Sequence, residues 1–355
     1  MLLFVILVFP LLVNANKVHV RKNKSAKGYV SPSLTNVVSN SEILDPASNG
    51  MLYRGNVTIG TPPQVLETDF DTGSFVFWAM DSTCRGRDCA DVPSFYRSAS
   101  STYRPLGLMT ILSYGSGAAE VEIGRDTLSF ANVTIPSMDI GLAIRTQDMR
   151  DVQSLFGLGP EQGVTEYGKT PLYTAYTAGA MSDPRFSILL YDAEDGSPGG
   201  DIYFGGVDSE NCEATGPAIS IGTSTYWTVD VTGVNFGSTA LTAPSFNAIV
   251  DSGTSALYFP RVVVREISNS LGVFNGILPC STTIPDLTLT IAGIQHTIAG
   301  KELLLETGTS YCYLNVFSSS DFYILGDPFM KNRCTIHNVV DKTIAFAQRK
   351  NKTSS

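Results

Sequence analysis

The chain has only three histidines, His19, His296 and His337, in 355 residues. A Ser-His-Asp triad or a histidine-based metal site is poorly supplied, because each needs imidazole as base or ligand. Neither a metal nor a cofactor is expected. Charge is scarce as well: Asp, Glu, Lys and Arg make up 16% of residues, with a formal net charge of −9. No basic patch follows the N-terminal region, so nothing is there to neutralise phosphates and nucleic acid is not an expected partner. Beyond Met1–Val13 no apolar run is long enough to span a bilayer, and the polar stretch Gln348–Ser355 carries no lipid-anchor tail. That first run ends at Val13-Asn14-Ala15, a small-residue cleavage pattern, so residues 1–15 read as a secretory signal. Six cysteines, an even number, suit an oxidising compartment.

What the chain does have is short Val/Ile/Phe/Tyr/Thr runs broken by Gly, Pro, Asn and Asp, the pattern of a mainly β protein. Its length is enough for two domains. Residues 16–46 differ in character, with Lys17, Arg21, Lys22, Lys24 and Lys27 against Glu42 and Asp45. A basic segment ahead of an acidic body reads as a prosegment held partly by charge. Strands are predicted at Tyr53–Thr58 and Val65–Phe70, with a turn at Ile59–Gln64 between them. Met109–Ser113 and Ala119–Ile123 predict a hairpin with a glycine-rich tip, Tyr114-Gly115-Ser116-Gly117. Helices are predicted near Pro171–Ala180 and over Arg261–Leu271. Later strands are predicted at Trp227–Val231, Ala248–Val250, Leu287–Ile291 and Tyr323–Leu325. The body divides at about residue 215, into 47–215 and 216–355.

Two stretches organise this pattern. Leu66–Phe70 runs into Asp71-Thr72-Gly73-Ser74, and Phe246–Val250 runs into Asp251-Ser252-Gly253-Thr254. A carboxylate at the end of an apolar strand is costly to bury without a partner. Matched turns of this kind predict two similar lobes that each bring one carboxyl to a shared site. Two carboxyls in contact cannot both ionise, so they hold one proton between them. Such a pair acts as base and acid at once, which points to attack of water on an amide without a covalent intermediate.

With the Asp turns, the glycine-tipped hairpin and Ile324-Leu325-Gly326-Asp327 in order, the sequence resembles the pepsin-like aspartic endopeptidases from about Leu52 to Ala347. The resemblance implies an all-β, bilobal fold: two six-stranded, barrel-like lobes flanking a cleft, with a few short helices. It implies Asp71 and Asp251 as the catalytic pair, and Thr72 and Ser252 as braces between the loops. Gly73 and Gly253 would complete the turns, with Ser74 and Thr254 as the outer hydroxyls. Tyr114 would be the flap tyrosine, supported by the Trp78 indole, with Gly115 and Ser116 presenting flap backbone to substrate. Leu155-Phe156-Gly157 and Ile324-Leu325-Gly326 would back the two Asp loops. It also implies a monomer acting on proteins and peptides in acid, made as a zymogen and secreted or vacuolar. Three departures stand out. Gln153-Ser154 replaces the usual Asp-Gly, Phe75-Val76 replaces a small or polar pair, and Leu241–Val250 lacks a cysteine. The rival implication is a silent binding protein on the same scaffold, but such relatives commonly lose an Asp, its glycine or the flap tyrosine, and all stand here.

Asp69 shares a strand face with Asp71 and predicts a hydrophobic pocket that also tolerates lysine, as in some fungal members of the family. The alternative is that Asp69 is hydrogen-bonded to neighbouring backbone or hydroxyls. Six cysteines allow fifteen pairings. Spacing alone does not fix the pairs; Cys84 with Cys89 and Cys280 with Cys312 are favoured, leaving Cys212 with Cys334 if they lie close enough. Asn56, Asn132 and Asn351 begin glycosylation triplets. Gly163–Thr170 fits the phosphate-loop pattern, but Pro160 upstream and Pro171 immediately after deny it the strand and helix such a loop needs.

Overall fold

The structure, a computed structural model, describes residues 17–24, 51–115, 117–150, 152–161, 169–190 and 198–350. The signal, most of the prosegment, Ser116 and Asn351 therefore lie outside the described residues, as do the glycines of the phosphate-loop pattern.

The architecture is mainly β, as the run-and-turn pattern predicts. One sheet starts from the flap hairpin, whose strands Arg104–Tyr114 and Gly117–Phe130 pair with Tyr114 opposite Gly117. It continues through Val133–Gln147, Phe77–Met80, Ser154–Gly157, Gln64–Asp71 and Met51–Ile59. Met51–Ile59 also pairs with Gly117–Phe130, which curls the sheet towards a barrel. Alternation sets the faces: along Gly117–Phe130, Ala119, Val121 and Ile123 are buried with less buried neighbours between them. A second sheet holds Thr228–Phe236, Phe246–Val250, Leu257–Pro260, Leu287–Ile291, Ile294–Ile298, Val316–Ser319 and Tyr323–Leu325. The helix Arg261–Ser270 buries Val263 and Ile267, four apart and so on one face. The first helix is shorter than predicted, Pro171–Thr177, and opens on proline at its first turn.

The sheets do not stop at residue 215. Arg333–Asn338 and Thr343–Gln348 return to the first sheet beside Arg185–Leu190 and Pro198–Phe204. Lys17–Lys24 is itself a strand of that sheet, between Pro198–Phe204 and Met51–Ile59. The three favoured cysteine pairs are bonded, and Cys212–Cys334 joins chain on either side of the second sheet.

The core of the first lobe is aromatic. Phe70, Phe130, Phe156 and Phe204 interlock with ring centroids 4.9–6.3 Å apart, each such pair adding about 0.5–1.5 kcal/mol beyond area burial. Phe70 immediately precedes Asp71 and lies opposite Phe156 on the neighbouring strand, so the end of the strand that carries the carboxylate is packed into this cluster. Trp227, fully buried, donates its indole N–H to Leu158 O at 2.8 Å and ties the start of the second half to the first.

Candidate active site

The two Asp loops are built on the same plan. Gln64–Asp71 runs parallel to Ser154–Gly157, with Phe70 opposite Phe156 and Asp71 opposite Gly157. Phe246–Val250 runs parallel to Tyr323–Leu325, with Val250 opposite Leu325, and Asp251 N donates to Leu325 O. Each loop then rests on the glycine of the neighbouring segment. A Cβ at Gly157 would meet Phe75 backbone at 2.5 Å, and one at Gly326 would meet Thr254 O at 2.2 Å. Only glycine admits so close a crossing of two backbones.

The loops are locked together across the interface. Thr72 N donates to Ser252 Oγ at 3.0 Å, and Ser252 N donates to Thr72 Oγ1 at 2.9 Å. Each hydroxyl then donates across to the other half, Thr72 Oγ1 to Val250 O and Ser252 Oγ to Phe70 O, both at 2.9 Å. These four buried bonds satisfy both hydroxyls and fix the loops face to face. The approach is tight enough that a Cβ on Gly253 would stand 2.4 Å from Asp71 Oδ1.

Asp71 and Asp251 are both buried, at 1% and 0% exposure. Their surroundings differ. Asp251 Oδ1 accepts Gly253 N at 2.9 Å, and its Oδ2 accepts Thr254 Oγ1 at 2.6 Å. Asp71 Oδ1 accepts Gly73 N at 2.8 Å, but Ser74 Oγ turns to the main-chain oxygen of Asp71 at 3.4 Å. Asp71 Oδ2 is left buried without a donor among the described residues. Burial pushes both carboxyls above their ordinary range. For Asp71 the charge of Asp251 adds to burial and raises it well above that range, with bonds from Ser74 and Gly73 pulling the other way. For Asp251 the bonds from Thr254 and the loop amides partly offset burial.

Tyr114 at the flap tip is 2% exposed, and its hydroxyl accepts the Trp78 Nε1–H at 2.5 Å. Trp78 is itself fully buried on Phe77–Met80, so the flap tyrosine is anchored to a rigid strand. Gly115 forms the turn.

The departures from the family pattern have local partners. Ser154 Oγ lies 2.5 Å from Thr68 Oγ1 and bonds Glu67 O, while Gln153 Oε1 accepts Glu67 N. Gln153-Ser154 thus pins the flank of the Asp71 strand through side chains. Phe75 packs its ring 5.3 Å from that of Tyr226.

Asp69 requires a correction. Its carboxylate does not stand free to meet a substrate cation: Arg54 Nε donates to Oδ1 at 2.6 Å from the neighbouring strand. Burial pushes Asp69 up to about 6, with the Arg54 charge and bond pulling the other way. The buried pair already matches the negative charge, so Asp69 is no free counter-charge for a substrate lysine, and its partner is a cation on the neighbouring strand rather than the backbone or hydroxyls of the alternative.

Tyr226 was not legible as a site residue. Its hydroxyl is pushed up by burial and then by Asp251 and Asp71, so it borders the pair. Its only sequence signal is an aromatic beside Trp227 at the entry to Thr228–Phe236. Asn56 and Asn132 are both exposed, as an acceptor asparagine must be.

Among the described residues no helix is long and apolar enough to cross a membrane, and no group of three or more His, Cys, Asp or Glu stands ready for a metal ion. Residues 52–349 match the profile of the family described as eukaryotic aspartyl protease. The chain is similar to Aspartic protease 1 of Caenorhabditis elegans, 30% identical over 83% of this chain and 81% of that protein. It is 32% identical to Rhizopuspepsin-2 of Rhizopus niveus, over 82% and 77% of the two chains. It is 29% identical to Gastricsin of Macaca fuscata fuscata, over 83% of each. The paired Asp loops therefore sit in a matched region covering most of the chain, and the chain belongs to the eukaryotic aspartyl protease family, as an endopeptidase that hydrolyses peptide bonds.

Proposed function

We propose that Asp71 and Asp251 form the catalytic dyad and share one proton during turnover in acid. The observation that supports this most is the reciprocal Thr72–Ser252 lock, which holds two buried carboxyls in contact. Asp251, with donors on both oxygens, is the ionised partner and takes a proton from a bound water. Asp71, short of one donor, carries the shared proton and gives it to the carbonyl oxygen of the substrate as water adds. Collapse of the resulting diol returns a proton to Asp71 from a hydroxyl while the amine leaves, protonated by Asp251. The water's proton has then passed to the leaving group and the pair is restored. Tyr114 closes over substrate and keeps bulk water from the pair.

Residues 1–15 as signal and 16–46 as prosegment belong to the same reading, with secretion or delivery to an acidic compartment. The basic stretch Lys17–Lys24 meets a body that is acidic overall, and protonation of the body's carboxylates in acid weakens that attraction. The test is hydrolysis of a denatured protein by the full-length chain before and after acid treatment, with Asp251→Asn alongside. Acid-dependent cleavage that Asp251→Asn abolishes is expected. No cleavage by the wild type in acid supports the silent-scaffold reading instead.

A further inference from the structure

Arg333 is a buried cation that the peptidase reading does not use. It opens the strand Arg333–Asn338 and is only 7% exposed. Its guanidinium lies 4.1 Å over the Phe329 ring, and Nη2 donates to Thr297 O at 2.7 Å. Nε is buried with no acceptor, and among the described residues no carboxylate makes an ion pair with it. Arg54, equally buried, has Asp69. A buried charge is normally paired, because desolvation without a counter-charge costs several kcal/mol.

The guanidinium borders two cavities. One, of about 190 Å³, contains no acidic residue in its lining; its walls are mostly apolar, with His296 and Gln348. At ~30 Å³ of liquid volume per water this space corresponds to about six waters. Ile294, 43% exposed, stands at its rim, so the space is open to solvent. The other, of about 280 Å³, is polar and holds Glu302, but that carboxylate is engaged by Lys331 at 2.5 Å.

We propose that the smaller cavity is a binding site for a short-chain organic carboxylate, its anionic head on Arg333 and its tail against Ile219, Ile291, Ile294 and Phe346. The head meets a guanidinium charge that no carboxylate pairs among the described residues, which gives a charge-assisted bond. The tail replaces water on walls that offer it little hydrogen bonding. An inorganic anion would satisfy the head and leave the walls wet. A neutral apolar molecule would fill the walls and leave the charge unpaired. His296 is 7% exposed and packs 5.0 Å from Phe346 in the same wall. It is held down to about 4 by burial and then by the Arg333 charge. Neutralising that charge with a bound anion moves His296 upward, which provides a local reporter.

The test is calorimetric titration of the full-length protein at pH 6.5 with hexanoate, with its neutral isostere hexanamide, and with chloride. Wild type should bind hexanoate about ten- to a hundredfold more tightly than hexanamide, the range expected for a hydrogen bond to a charged group, and should bind chloride more weakly still. Arg333→Met should lose that preference, and Ile294→Trp, which narrows the mouth and spares Arg333, should weaken hexanoate. In the wild type, hexanoate should raise the pKa of His296 read by NMR, which keeps the test open if Arg333→Met fails to fold. Equal affinity for hexanoate and hexanamide, chloride matching hexanoate, or a His296 titration unmoved by hexanoate would overturn the proposal.

Discussion

The loops around Asp71 and Asp251 are near copies in backbone and unlike in hydrogen bonding. Both rest on a glycine-ended segment, and both pass a Thr or Ser across the interface. At the outer hydroxyl they diverge. Thr254 reaches its carboxylate at 2.6 Å, whereas Ser74 Oγ stands 3.4 Å from the Asp71 main-chain oxygen and pulls on the Asp71 carboxyl only against the larger effects of burial and the Asp251 charge. Backbone symmetry brings the two acids together; on the proposed reading, side-chain asymmetry is what sets their protonation apart. A pair with equal surroundings would leave the proton unassigned, and the base and acid roles with it.

The largest expected effect tests the pairing itself. Either Asp→Asn change should lower kcat by about 10²–10⁴ or more, the usual range for a positioned acid or base. The two loops should still differ in stability. Asp71 has its folded pKa raised, so its contribution is full below the unfolded value near 3.8 and is lost as pH rises through the folded pKa. Asp71→Asn should therefore melt higher than wild type at pH 7 and no higher at pH 3. A melting point unchanged at both pH values would show that burial of the carboxyl is not costly.

A second expected effect lies in the sheet that receives the last strands. His337 is fully buried, stacked on Phe186 at 4.6 Å, with neither ring nitrogen bonded among the described residues. Burial lowers it to about 3. The sign is opposite to that of Asp71: stability is intact above the unfolded value near 6.5 and is lost as pH falls towards 3. His337→Phe should gain on the order of 3 kcal/mol at pH 4 and little at pH 8, read by urea unfolding at the two pH values. An equal gain at both would make packing, not charge, the cause.

The flap comes next. Tyr114→Ala should cost about ten- to a hundredfold in kcat/KM, and Tyr114→Phe, which loses only the Trp78 bond, a few-fold. The smallest effect sharpens the comparison of the loops most. Thr254→Val should raise the acid limb of the pH–rate profile, because it removes a donor from the ionised carboxylate. Ser74→Ala removes a weaker downward pull on Asp71, behind burial and the Asp251 charge, and should move the profile less. Equal shifts would erase the asymmetry.

Much of this was legible in the sequence because it depends on local chemistry. The apolar runs before Asp71 and Asp251, the glycine-tipped hairpin and the close Cys84–Cys89 pair each specify their surroundings within a few residues. What escaped depends on register between distant segments. Arg54 and Asp69 pair across strands, so nothing within either strand shows that the Asp69 charge is matched. Lys17–Lys24 alternates Val18 and Val20 with polar residues, but its charge hides that period, and it reads as a basic tail until its neighbours in the sheet are known. Arg333, at the mouth of a strand beside Asn332, looks like an ordinary surface residue. Only the return of that strand beneath the second sheet buries it.

The central claim is that the pair holds one proton and that Asp71 carries it. Carbon-13 NMR of the carboxyl groups, assigned through Asp71→Asn and Asp251→Asn, reads this directly in the acid-treated enzyme. At pH 5 the account predicts one protonated carboxyl, Asp71, and one ionised carboxylate, Asp251. Two ionised carboxylates at that pH, or the proton on Asp251, would contradict it.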